Sequence, residues 1–175
     1  MRRGTTLAAL AALLLAAGCG ADDDAPGKSS SHAAGSEARA GPITIRNVHI
    51  VPAVASGTCV IQVDDPSQLS FSVVNNSATT SDRLVAIDTP AAEAVRIQAT
   101  PEQLTLRPET SLAAGQPVEQ VTPPSAPDAP ITVLLDQPAD WVQPGKHVDM
   151  TFTFEKAGGV TFGVPVDSCP TQSTG

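Results

Sequence analysis

The chain has 175 residues, with 18 acidic and ten basic side chains and a formal net charge of −8 when histidine is neutral. Four phenylalanines and one tryptophan are its only aromatic residues. Nucleic-acid-binding domains need a basic face and often aromatic stacking platforms, so this composition excludes nucleic acid as a partner. The length suits one domain with short extensions.

The first 18 residues have the pattern of a bacterial lipoprotein signal peptide. Arg2 and Arg3 precede an apolar run over residues 7–17, which ends in Ala-Ala-Gly before Cys19. The run is shorter than the about 20 residues that cross a bilayer, but it suits the apolar region of an export signal. We expect cleavage after residue 18, lipidation of Cys19, and attachment to the extracytoplasmic face of the cell membrane. Secretion with a free Cys19 is the alternative.

Residues 19–40 are predicted to be the lipidated cysteine and a disordered tether. The stretch GADDDAPGKSSSHAAGSEARA contains no apolar side chain larger than Ala or Pro, so it cannot bury enough surface to order itself. Asp22, Asp23, Asp24 and His32 are interpreted as parts of this solvated spacer. Removal of residues 1–18 leaves eight basic and 18 acidic residues, a formal charge of −10.

Residues 41–170 are predicted to form the folded domain, followed by a tail at residues 171–175. Short stretches of alternating apolar and polar residues, separated by Pro, Gly and Asn, indicate antiparallel strands with one buried face. Eight or nine such strands predict an all-β antiparallel sandwich. The clearest candidates are Leu69–Val74, Arg83–Ile87, Ala94–Ala99, Ile131–Leu135, His147–Glu155 and Val160–Val166, and the weaker ones are Ile43–Val51, Cys59–Val63 and Gln103–Leu106.

One predicted strand shows its buried face with particular clarity. In His147–Glu155, the residues Val148, Met150, Phe152 and Phe154 alternate with polar ones. Successive side chains of a strand point to opposite faces, so these four share one face. Met150 is therefore interpreted as a core residue.

The cysteine count predicts one disulfide bond. Export places the chain in an oxidising compartment, and lipidation removes Cys19 from the three cysteines. Cys59 and Cys169 remain and are expected to pair. The alternative is a redox-active or metal-binding dithiol, which the absence of Cys-x-x-Cys spacing disfavours.

Several separated motifs resemble the PCu(A)C copper chaperones. They are Ile43–Val48, Asp82–Val85 leading to Thr89–Ala92, and Gly145–Val160, whose T-F-T-F-E-K-A-G run is the most specific. The resemblance covers about residues 43–166. It implies an extracytoplasmic single domain with a cupredoxin-like, immunoglobulin-like β-sandwich that carries Cu(I) toward respiratory oxidases.

The copper ligands that the resemblance implies do not match this sequence. The family uses a His, a Met in the following loop, and a later His-x-Met, whereas Gln98 stands at the first position and Thr132 and Leu134 near the last two. Met150 is the only methionine left once Met1 is removed. Cu(I) favours sulfur and imidazole ligands. We therefore assign no metal ligand and no cofactor, with copper kept as an alternative.

The remaining histidines do not complete a site in the sequence. His147 and Met150 lie three residues apart on a predicted strand and so point to opposite faces. His49 and His147 are interpreted as ordinary surface or partly buried residues.

No nucleophile with an adjacent base is evident, so the protein is not expected to be an enzyme. The leading hypothesis is a lipid-anchored, copper-chaperone-like protein that lacks the family's ligands. The alternatives are a copper carrier that uses other ligands, including reduced Cys59 and Cys169, and a metal-independent module that binds another envelope protein.

Overall fold

A computed structural model describes residues 35–53, 61–62, 64–115 and 130–168. These residues form ten β-strands and no helix, which confirms the all-β prediction. No helix among them is long and apolar enough to cross a membrane. The strands are β1 (Ser36–Ala40), β2 (Ile43–Val51), β3 (Ser67–Asn75), β4 (Asp82–Asp88), β5 (Ala92–Gln98), β6 (Thr105–Leu106), β7 (Ser111–Ala114), β8 (Thr132–Pro138), β9 (His147–Phe154) and β10 (Gly158–Pro165).

The strands are arranged in two sheets. The first has the order β1-β2-β3-β8-β5, with β7 also paired to β3, and the second has the order β10-β9-β4-β6. All pairings between these named strands are antiparallel. Two sheets with one apolar face each bury those faces against one another, as the alternation in the sequence predicts.

Aromatic side chains from both sheets meet in the core. Phe71 of β3 and Phe152 of β9 are fully buried, and their ring centroids lie 5.2 Å apart in an edge-to-face arrangement. Phe162 of β10 stacks on Phe152 at 5.6 Å. Met150 is 0% exposed, which confirms its interpretation as a core residue.

Most predicted strands are confirmed, with shifts at their ends. Ile43–Val51 has the predicted bounds, whereas the predicted strand Gln103–Leu106 is reduced to two residues in β6. The candidate Cys59–Val63 lies mostly outside the described residues. The sequence patterns did not identify β7, because Ser-Leu-Ala-Ala has only one large apolar side chain.

The predicted tether is too long at its C-terminal end. The prediction of disorder through residue 40 is wrong for Ser36–Ala40, because these residues form β1. Backbone pairing with β2 orders them although they contain no large apolar side chain. The hydroxyl of Ser36 also donates a 2.6 Å hydrogen bond to the carbonyl of Gly163 in β10. The folded domain therefore begins at β1, before the predicted boundary at residue 41.

The N-terminal segment and all three cysteines fall outside the described residues. The signal peptide, the lipidation of Cys19, the Cys59–Cys169 disulfide and the tail at residues 171–175 therefore stay predictions. The described part ends at Ser168, just beyond a parallel bridge between Val166 and Ile50.

Candidate functional site

The three positions where the family resemblance places copper ligands lie together on β5 and β8. Gln98 and Thr132 are direct partners in the antiparallel pairing of these strands, and Leu134 is paired with Arg96. Directly opposite residues share one face of a sheet. The intervening Val133 is buried in the core, so this group lies on the outer face of the first sheet.

The side chains at these positions offer poor ligands for Cu(I). Gln98 is exposed and presents an amide, Thr132 is half-buried and presents a hydroxyl, and half-buried Leu134 presents only an aliphatic group. Cu(I) favours thiolate, thioether and imidazole donors, none of which occurs here. The register therefore brings the expected positions together without the ligand chemistry of the family.

An ion pair occupies the same face. A guanidinium nitrogen of Arg96 donates a 2.7 Å hydrogen bond to Oδ1 of Asp136 on β8. The guanidinium carries a permanent positive charge, which opposes a cation nearby. No sequence motif indicates this pair, although strand alternation from Gln98 places Arg96 on the same face.

The described histidines and acidic residues do not form a metal centre elsewhere. No three His, Cys, Asp or Glu side chains of the described ranges come close enough to hold a metal ion. Nδ1 of His49 lies 2.9 Å from the carbonyl oxygen of Asn47, and Nε2 lies 3.8 Å from Oδ2 of Asp167. His147 is exposed while Met150 is buried, which confirms that they occupy opposite faces.

Two of the motifs that resemble the PCu(A)C family meet at Asp82. This carboxylate is only 5% exposed, and Oδ1 accepts hydrogen bonds from the backbone N–H groups of Arg83 at 2.7 Å and Lys156 at 2.9 Å. Oδ2 accepts a third, from the N–H of Ala157 at 2.9 Å. The aspartate thus fixes the connection between β9 and β10 to the start of β4. These contacts give both motifs a structural role in this chain.

The β9–β10 connection explains the composition of the E-K-A-G motif. Residues 155–157 form the loop, and Gly158 follows with a φ of 80°. Three-residue hairpins commonly place glycine at such a left-handed position, because a side chain is strained there. Nζ of Lys156 donates to the carbonyl of Ser81 at 2.8 Å, and Nε of Arg83 lies 3.4 Å from Oε2 of Glu155. These contacts add to the attachment of the hairpin to β4.

Comparisons with known proteins agree with this fold. The family model for LpqE-like lipoproteins matches residues 43–166. The copper-bound PCuAC domain from PmoF2 is 26% identical, with a TM-score of 0.53, and the match covers 77% of this chain and 99% of that domain. The apo PCuAC domain from PmoF1 is 20% identical, with a TM-score of 0.56, over 77% of this chain and 100% of that domain.

The apo PCuAC domain of PmoF2 also matches, at 24% identity and a TM-score of 0.52, over 76% of this chain and 95% of that domain. No curated protein matches the chain. The resemblance to PCu(A)C proteins and the β-sandwich that it implies are confirmed.

Proposed function

The chain belongs to the LpqE-like lipoprotein family, and on that premise we propose that it is a lipid-anchored envelope protein with a copper-chaperone fold that does not hold Cu(I) on the outer face of β5 and β8. The observation that carries the proposal is the chemistry of the paired positions Gln98 and Thr132. An amide and a hydroxyl replace the soft donors that Cu(I) favours, and the Arg96–Asp136 ion pair lies beside them.

The proposed role is metal-independent and non-enzymatic. The domain would act at the extracytoplasmic face of the membrane, held by lipid on Cys19, as an interaction module for another envelope protein. The lipoprotein family match and the export signal in the sequence support this location.

A copper titration tests the proposal. The mature chain from residue 19, with Cys19→Ser to keep it in solution, is titrated with Cu(I) against a competing chelator. A fragment from Gly41 is unsuitable because it lacks β1. We expect no stoichiometric binding in the submicromolar range with the disulfide intact, and such binding would overturn the proposal.

A copper carrier with other ligands is the second candidate. The copper-bound PmoF2 domain, at 26% identity, is the observation that favours it. Two thiolates suit Cu(I), so reduced Cys59 and Cys169 would be the ligands. Titration of the reduced protein with Cu(I), with a Cys59→Ser/Cys169→Ser variant as the matched control, distinguishes the two candidates. If Cu(I) binds to the reduced protein but neither to the oxidised protein nor to the variant, the result supports the copper carrier.

Described residues a few positions from these cysteines are bonded to one region of the chain. The N–H of Gln62, after Cys59 in the chain, donates to the carbonyl of Ala53 at 2.8 Å. The N–H of Asp167, before Cys169, donates to the carbonyl of Ile50 at 2.8 Å. Both neighbouring segments are thus bonded to the chain at the end of β2. We propose that the pair is oxidised in the envelope, which removes the thiolates as copper ligands.

A further inference from the structure

One end of the sandwich displays an unusually exposed aromatic residue. Trp141, the only tryptophan of the chain, is 54% exposed in the connection between β8 and β9. A tryptophan combines a large apolar ring with one polar N–H, so a water-exposed position leaves much apolar surface uncovered.

The connection holds Trp141 at a fixed place. Its neighbour Val142 is buried, and the Val142 N–H donates to the carbonyl of Ala139 at 2.9 Å. The N–H of Ala139 donates in turn to the carbonyl of Ala91 at 2.9 Å, and that of Gly145 to Val166 at 2.9 Å. The backbone on both sides of Trp141 is therefore hydrogen-bonded to the rest of the domain, which fixes the place of its ring.

A second exposed apolar side chain lies at the same end. Val51, the last residue of β2, is 38% exposed. The preceding Ile50 bridges Val166, to which the Trp141 connection is bonded. Among the described residues, two of the three exposed large hydrophobic side chains thus belong to this end, which we name the Trp141 end; the third, Val85, lies in β4.

The lipid-bearing segment also enters the domain from the Trp141 end. Strand β1 runs antiparallel to β2, and its first residue Ser36 is paired with Val48, near the end of β2. The chain before β1 therefore approaches from the side on which β2 ends. Residues 19–34, 16 in number, connect Cys19 to the described domain. The proposed lipid is therefore attached to the domain through the strand that begins at this end.

The charges of the Trp141 end indicate what kind of surface it can approach. Carboxylates predominate there, namely those of Asp64, Asp65, Glu93, Asp140 and Asp167, and the cations beside them are Lys146 and the ion-paired Arg96. These carboxylates oppose anionic headgroups, so attraction to acidic lipid does not provide the contact. The indole of Trp141 can provide an apolar contact instead, because tryptophan favours the boundary between headgroups and acyl chains.

We propose that the Trp141 end lies against the lipid surface to which Cys19 anchors the chain, with the indole of Trp141 in the headgroup region. The opposite end of the sandwich, where Asp82 holds the β9–β10 connection, then faces away from the membrane. The inference rests on the proposed lipid anchor.

The single tryptophan allows a direct test. Full-length lipidated protein is placed in phosphatidylcholine vesicles, whose neutral headgroups do not repel the carboxylates, and vesicle flotation measures the anchoring. Lipids brominated at shallow acyl positions then quench tryptophan fluorescence. The matched control is Trp141→Phe/Val85→Trp, because Val85 is 51% exposed and adjoins Leu84, which is paired with Phe154 at the other end.

We expect Trp141 emission to shift to shorter wavelength and its quenching to be at least twofold stronger than that of the control. Equal quenching of the two proteins, with both floating, would overturn this inference and leave the anchor standing. A protein that fails to float would overturn the anchor and the inference together.

Discussion

The buried carboxylate of Asp82 gives the sharpest prediction for stability. Its two oxygens accept three backbone hydrogen bonds, from Arg83, Lys156 and Ala157. In Asp82→Asn the amide oxygen can replace Oδ1, but the amide nitrogen then faces the N–H of Ala157. One charge-assisted bond is lost, and a donor is left without an acceptor.

The expected cost follows from these two losses. A hydrogen bond to a charged group contributes about 1.5–3 kcal/mol, and an unsatisfied buried donor costs about 1–3 kcal/mol. We expect Asp82→Asn to lower the free energy of unfolding by about 3–5 kcal/mol, a large part of the roughly 5–15 kcal/mol of an average domain. Asp82→Ala, which removes all three bonds, is expected to cost at least as much.

Urea unfolding, followed by circular dichroism on the reference protein and each variant, measures this change. Asp88→Asn is the matched control, since Asp88 ends the same strand but is exposed. We expect the control to change the free energy of unfolding by less than about 0.5 kcal/mol. A loss below about 1 kcal/mol for Asp82→Asn would refute the assignment of Asp82 as the residue that fixes the hairpin.

Three further changes test other parts of the structure. Met150→Ala should lower the free energy of unfolding by about 2–5 kcal/mol through the cavity it leaves, while the chelator competition gives the same result for Cu(I) as with the unchanged chain. Cys59→Ser and Cys169→Ser should lower the free energy of unfolding equally, because each removes the same disulfide bond. The loss is up to about 4.7 kcal/mol for a loop of roughly 100 residues. Unequal losses in urea unfolding, or no mass difference of two hydrogens between the native and the reduced protein, would contradict the disulfide. Removal of residues 1–40 should lower the melting temperature, because it uncovers the edge of β2, and an unchanged melting temperature would show that β1 adds nothing.

The parts of the fold that were predictable are those with a local signal. In β9 the alternation around Met150 and Phe152 is complete within eight residues, so the strand and its buried face follow from the sequence. Strand β1 has no such signal, because SEARA contains small and charged residues alone. Its order depends on pairing with β2 and on the Ser36–Gly163 bond, which joins residues 127 positions apart.

The candidate site was predictable in part for a similar reason. The resemblance indicated Gln98 and Thr132 separately, but only the register of β5 and β8 shows that they are direct partners. The Arg96–Asp136 ion pair joins residues 40 positions apart, and neither residue belongs to a motif. Long-range pairing is not encoded in any short stretch, so both features required the structure.

The stabilising contacts and the ligand positions lie in different sheets, which explains how the fold can persist without the ligands. Asp82 fixes β4 to the β9–β10 hairpin in the second sheet, whereas Gln98, Thr132 and Leu134 lie on the outer face of the first. Surface substitutions of this kind change stability by about 0.5 kcal/mol or less.

The triple variant Gln98→His/Thr132→His/Leu134→Met should therefore fold with nearly unchanged stability and present three of the donors that the family resemblance implies. Because imidazole and thioether suit Cu(I), we expect it to bind Cu(I) at least tenfold more tightly than the unchanged chain in the same chelator competition. The control is the single variant Leu134→Met, which adds one thioether and should bind no better than the unchanged chain. If the triple variant folds but does not bind Cu(I) more tightly, then replacement of these ligands is not sufficient to explain the proposed lack of Cu(I) binding on this face.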